Sequence, residues 1–161
     1  MKLSLNLVLI NNVVRFTERK KKYMYPQEIV LPMKAELTNN GFRQLETAEA
    51  VDAELSGQSG TTFVVFNSVC GCAAGSARPA VIDAIQQEVK PDHLVTVFAG
   101  VDKEATDKAR SYTQPYPPSS PSMALFKEGE LVHFIERHQI ESNNAETISA
   151  HLKEVFNHFC K

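Results

Sequence analysis

TTFVVFNSVCGCAAGSARPAVIDAIQQEV, residues 61–89, decides how this chain folds. Thr61, Thr62, Val64 and Val65 are β-branched, Phe63 and Phe66 are aromatic, and Gly60 bounds the run. A near-continuous apolar stretch over 61–69 predicts a strand buried on both faces, since a half-exposed strand would alternate. Cys70-Gly71-Cys72 follows at once. A helix is then predicted from Ser76 to Val89, with Val81, Ile82, Ile85 and Val89 on one face and Pro91 as its stop.

Working outward, residues 32–39 predict a helix with Pro32 in its first turn, Met33 and Leu37 four apart, and Asn40-Gly41 at its end. Residues 48–56 predict a second, with Thr47 as N-cap and Gly57 beyond the end. His93–Ala99 reads as another core strand, and Asp102 as the cap of a polar helix reaching Tyr112. A loop with Pro115, Pro117, Pro118 and Pro121 leads to strands 123–127 and 131–136, turned around Glu128-Gly129. Residues 145–159 close the chain as a helix with Ile148, Leu152, Val155, Phe156 and Phe159 inward. The order α-α-β-α-β-α-β-β-α implies parallel pairing with an antiparallel hairpin at one edge. That is a mixed central sheet with helices on both faces.

A chain of 161 residues fits one core, and 43% hydrophobic with 22% charged residues is the balance of a globular protein. No apolar run is long enough to span a membrane. The net charge of −2 hides an asymmetry: residues 1–23 carry six basic side chains and one acid, leaving the remainder at −7. An acidic body argues against nucleic acid as a partner. The stretch Met1–Val14 is interrupted by Asn6, Asn11 and Asn12 and precedes its basic cluster, the reverse of a secretory signal. Residues 1–23 are expected to be a poorly ordered extension, with Met24 an alternative start. A membrane-surface role for Arg15–Lys22 is the weaker reading. Three cysteines, two of them one residue apart, are no secreted disulfide framework; they suit a reducing cytoplasm.

The cysteine pair stands where a buried strand gives way to a helix. Unpaired N–H groups and the helix dipole there favour an anion, so a thiolate should form below the ~8.5 of a free cysteine. Thiolate is the species that attacks disulfides. Gly71, Ala73, Ala74 and Gly75 keep the surroundings small for an approaching chain. Arg78 would add positive potential, but a solvated surface arginine is the simpler reading. Cysteines two apart can reach the 4.4–6.8 Å Cα separation of a disulfide through a tight ring, which predicts an easily reduced, oxidising pair. Two alternatives accompany this: buried small residues, and a metal site. Cys160 and the scattered His93, His133, His138, His151 and His158 lack ligand spacing, so no metal is expected. Cys160 reads as a packing or frayed terminal cysteine, and each histidine as a surface or satisfied residue rather than a base.

The stretch NSVCGCAAGSARPA (67–80) resembles the bacilliredoxin family of bacterial thioredoxin-like proteins. LPMKAELTNNGF (31–42), VFAGVDKEATDKAR (97–110) and PPSSPSMALFKEGELVHFIERHQIE (117–141) are similar to the same family, so the resemblance spans about residues 24–160. It implies a thioredoxin-like three-layer sandwich and reduction of mixed disulfides between protein cysteines and bacillithiol, a low-molecular-weight thiol. Cys70 would be the nucleophile that takes up bacillithiol and Cys72 the resolving or auxiliary cysteine. Pro121 matches the cis-proline whose loop, with Ser120, faces the cysteines and presents backbone groups to substrate; Gly71 completes that binding surface. Bacillithiol would be a co-substrate, with no tightly bound cofactor. Client proteins would be the partners, and a homodimer is left open. Two other functions compete: a general disulfide reductase or isomerase, and a metal-binding CxC module.

Overall fold

The computed structural model describes residues 24–161, so the extension expected over 1–23 lies outside the described residues. Helix α1 (Gln27–Thr38) leads to a two-residue strand β1 (Arg43–Gln44), then α2 (Ala48–Leu55) and β2 (Thr61–Asn67). A π-helical turn (Ala73–Ala77) runs into α3 (Arg78–Ala84), followed by β3 (His93–Phe98) and α4 (Lys103–Ser111). The chain ends β4 (Ser122–Lys127), β5 (Glu130–Ile135), α5 (Arg137–Glu141) and α6 (Ala145–Phe159). The sheet order is β1-β3-β2-β4-β5, with β2 parallel to β3 and antiparallel to β4. The expected mixed sheet is therefore present, and β2 is its centre.

All seven residues of β2 are buried, and their alternation divides two cores. Phe63 and Val65 face Leu37 of α1, Val81 of α3 and Leu152 and Phe156 of α6. Val64 and Phe66 face Val51 and Leu55 of α2 and Ala105 and Ala109 of α4. Because successive strand side chains point to opposite faces, one strand knits three layers together.

Local chemistry explains the boundaries. Thr47 Oγ1 accepts the Ala50 N–H at 3.1 Å, as an N-cap should, and Gly57 adopts φ 74° just past the end of α2. Replacing Thr47 with Ala should cost about 1 kcal/mol, read as a lower denaturant midpoint with unchanged slope. Glu128 and Gly129 have φ 51° and 80°, the two positive values that a two-residue primed hairpin turn requires.

Four expectations are corrected. Helix α1 starts at Gln27, so Pro32 lies inside it and not in its first turn. The strand predicted to residue 69 ends at Asn67, whose side chain turns the backbone by accepting the Ser68 N–H. The helix predicted over 76–89 has helical backbone from Gly71 and ends at Ala84; Gln87 then donates to Val89 O and Lys153 O, a tertiary exchange that local periodicity does not contain. Asp102 sits at the N-cap of α4 without a side-chain cap bond. Its carboxylate is 7% exposed and instead pairs with Lys34 at 2.8 Å, because a buried charge needs a counter-charge more than a helix needs a cap. Burial works against the Lys34 ammonium, but Asp102 and Glu46 outweigh it and hold its pKa above the usual value.

Candidate active site

The cysteines lie just beyond the C-terminal end of β2. Cys70 and Cys72 are half-buried, Gly71 between them is exposed, and the two sulfurs are joined as a disulfide with Cα atoms 5.5 Å apart. That separation falls in the range a disulfide prefers. Helical backbone begins at Gly71, and the Ala73 and Ala74 N–H groups donate to Cys70 O at 3.0 and 3.3 Å. The Cys70 N–H donates to Ser68 Oγ at 3.4 Å. The pair thus occupies the first turn of a helix, where partial positive charge collects.

The turn that follows is wide. Arg78 N–H donates to Ala73 O, five residues back. Pro79 explains the widening, since it has no N–H and its ring would press on the Gly75 carbonyl in a regular α-turn.

Beneath the turn lies a buried cation. Arg78 is 1% exposed, which overturns its reading as a solvated surface arginine. Its Nε donates to Glu36 Oε2 at 2.6 Å, and its Nη1 donates to Asn67 Oδ1 at 3.1 Å and Ser68 O at 3.2 Å. Asn67 Nδ2 in turn donates to Met33 O at 3.2 Å. Arg78 therefore pins the end of β2, and with it the start of the cysteine loop, to α1.

The Ser120–Pro121 bond is cis, and Pro121 is buried. Strand β4 begins next to it, and Ser122 pairs with Phe66 near the end of β2, so antiparallel register returns this loop to the cysteine end of the sheet. Helix α5, which the apolar pattern of the hairpin does not announce, joins the two sides. Arg137 Nη1 donates to Ser120 O at 3.1 Å and its Nε to Glu141 Oε1 at 2.5 Å, while the same Glu141 oxygen lies 4.0 Å from Cys72 Sγ. The sequence does carry a signal for α5: Glu136 and Gln139 form a capping box, and Arg137 and Glu141 are oppositely charged at helical spacing.

The remaining candidates sit elsewhere. Cys160 packs on the first core, and burial pushes its thiol up, away from reactivity. His133 and His151 approach each other at 3.0 Å between β5 and α6; burial, with His151 second, lowers the His133 pKa. Among the described residues no group of three or more His, Cys, Asp or Glu is placed to hold a metal ion, and no helix is long and apolar enough to cross a membrane.

Comparison with known proteins agrees with this architecture. Residues 25–160 match the family model described as disulphide isomerase. A bacilliredoxin of Cytophaga hutchinsonii is 59% identical over 133 residues, covering 83% of this chain and 98% of that one. One from Shouchella clausii is 56% identical over 137 residues, covering 85% and 94%. Among solved structures, a mutant thioredoxin from Halobacterium salinarum superposes with a TM-score of 0.52 at 16% identity, covering 76% of this chain and 93% of that one, which establishes the fold alone. With a paired-cysteine turn at the end of the central strand of a thioredoxin-like sandwich, and with relatives this close over nearly their whole length, the chain belongs to the bacilliredoxin family of thiol–disulfide oxidoreductases.

Proposed function

We propose that this protein removes bacillithiol from mixed disulfides on protein cysteines in the cytoplasm, with Cys70 as nucleophile and Cys72 as the resolving cysteine. The observation that carries the reading is the position of Cys70, half-buried at the first turn of a helix and at the same end of the sheet as the Pro121 loop. The Cys70 thiolate attacks the bacillithiol sulfur of the mixed disulfide. That S–S bond breaks, the client's sulfur leaves as a thiolate and takes a proton from water, and Cys70 holds bacillithiol in a new disulfide. Cys72 then gives up its proton to solvent and attacks Cys70 Sγ as a thiolate; the Cys70–bacillithiol bond breaks, bacillithiol leaves as a thiolate, and the Cys70–Cys72 disulfide closes. Two molecules of a low-molecular-weight thiol then reset the pair: the first opens the Cys70–Cys72 disulfide as a mixed disulfide, and the second displaces it, leaving both cysteines reduced and the small thiol as its own disulfide.

The test is mass spectrometry of the reduced protein after exposure to a bacillithiolated client. An adduct of bacillithiol on Cys70, with free client thiol released, is the expected result. An unmodified Cys70 beside an unchanged client overturns the reading. The family's description as disulphide isomerase favours a second reading, general disulfide exchange. Faster turnover of scrambled ribonuclease than of the bacillithiolated client would establish it.

Gly71 and Ser120–Pro121 are the surface we assign to substrate. A Cβ built on Gly71 meets nothing within 4 Å, so the protein's own packing does not require glycine there. Gly71→Ala should keep or slightly raise stability, by up to about 1 kcal/mol. It should slow reduction of a protein mixed disulfide by about tenfold, the cost of one misplaced methyl against substrate. Unchanged turnover would remove Gly71 from the binding surface.

A further inference from the structure

Helix α5 sets an acid against one of the two sulfurs. Glu141 Oε1 lies 4.0 Å from Cys72 Sγ and accepts from Arg137 Nε at 2.5 Å, while Arg137 Nη1 donates to the backbone of Ser120 at 3.1 Å. The carboxylate is thereby held in place by a guanidinium that is itself tied to the Pro121 loop. Cys70 has different neighbours: its N–H meets Ser68 Oγ, and its carbonyl receives the N–H groups of the first helical turn. An ionised carboxylate only accepts hydrogen bonds. It therefore welcomes an S–H and repels a second anion at the same place.

We propose that Glu141 keeps Cys72 a thiol in the reduced protein, accepting the hydrogen bond of its S–H, and so leaves Cys70 as the thiolate that attacks first. This rests on the pair being the exchanging cysteines and adds what separates their roles. The other charged groups around the turn have partners of their own. Arg137 is spent on Glu141 and Ser120. Buried Arg78 is spent on Glu36, Asn67 and Ser68. On α3, Asp83 pairs with Lys153 of α6, and on α6 His151 pairs with His133. Among the described residues, Glu141 is the ionisable side chain that reaches hydrogen-bonding range of either sulfur.

The test titrates Cys72 in full-length Cys70→Ser protein by the pH dependence of its alkylation with iodoacetamide. Glu141→Gln in that background should lower the midpoint by about one unit, and Glu141→Asp should restore most of the difference. With Cys70 and Cys72 both present and reduced, limiting iodoacetamide near neutral pH should label Cys70 and not Cys72, and Glu141→Gln should spread the label to Cys72, as read by mass spectrometry of the peptide that carries the pair. Glu141 is 46% exposed, so the variants should fold, and an unchanged far-UV circular dichroism spectrum verifies it. A Cys72 midpoint that stays put or rises in Glu141→Gln overturns the proposal. The readout is a thiol titration, so it is separate from turnover: full activity in Cys70→Ser would sink the assignment of the pair while leaving the midpoint shift to be judged by itself.

Discussion

Cys70→Ser should abolish reduction of mixed disulfides, a fall of at least about 10³-fold, because a serine hydroxyl is neither ionised near pH 7 nor able to form a disulfide. Cys72→Ser should keep a measurable part of the activity, since in the proposed mechanism the first exchange needs only Cys70 and an external thiol resolves the adduct. The two variants are best compared on one bacillithiolated client, following the released client thiol, with the Cys70 adduct measured in parallel. In Cys72→Ser that adduct should accumulate, because its internal resolving partner is gone. Equal rates for wild type and Cys70→Ser would move the chemistry off this pair altogether. The asymmetry follows from position: Cys70 stands at the end of the strand where the helix begins, and Cys72 already lies within the first turn.

Arg78→Met carries the largest expected cost in stability. The guanidinium makes three hydrogen bonds, to Glu36, Asn67 and Ser68, from a site 1% exposed. Methionine fills much of the volume and satisfies none of those acceptors, so a loss of about 3 kcal/mol is expected by denaturant unfolding. Glu36→Gln should cost less, about 1–2 kcal/mol, because the Glu36 side chain is 44% exposed and water screens the pair. A loss below about 1 kcal/mol for Arg78→Met would mean that packing alone holds the loop. Crosslinking the strand end to α1 is how this residue serves the cysteines; it touches neither sulfur within hydrogen-bonding range.

The sequence made the central part of this fold legible because β2 is buried on both faces, and a continuous apolar run has few other homes. Thr47 and Glu128-Gly129 were legible for a different reason, since caps and tight turns are decided within four residues. What escaped was the pairing of individual charged side chains across the fold. Arg78 looks like a surface residue until Glu36, 42 positions earlier, and the end of β2 converge on it. Asp102 looks like a cap until Lys34 claims its carboxylate. The cysteine pair announced itself by composition, but Glu141, 69 positions away from Cys72, is brought to it by a short helix that follows an edge strand.

Central strand β2 also sets where this protein can change. Every one of its side chains is buried, and they feed both cores, so alteration there disturbs a whole layer. The rim formed by residues 116–120 and 137–141 is largely open to solvent, and Arg137 and Glu141 connect it through Ser120 to Cys72. An engineer seeking new client preferences would leave the trunk untouched, along with buried Ile140 and the Arg137–Glu141 pair, and diversify the exposed positions 116–118, 138 and 139.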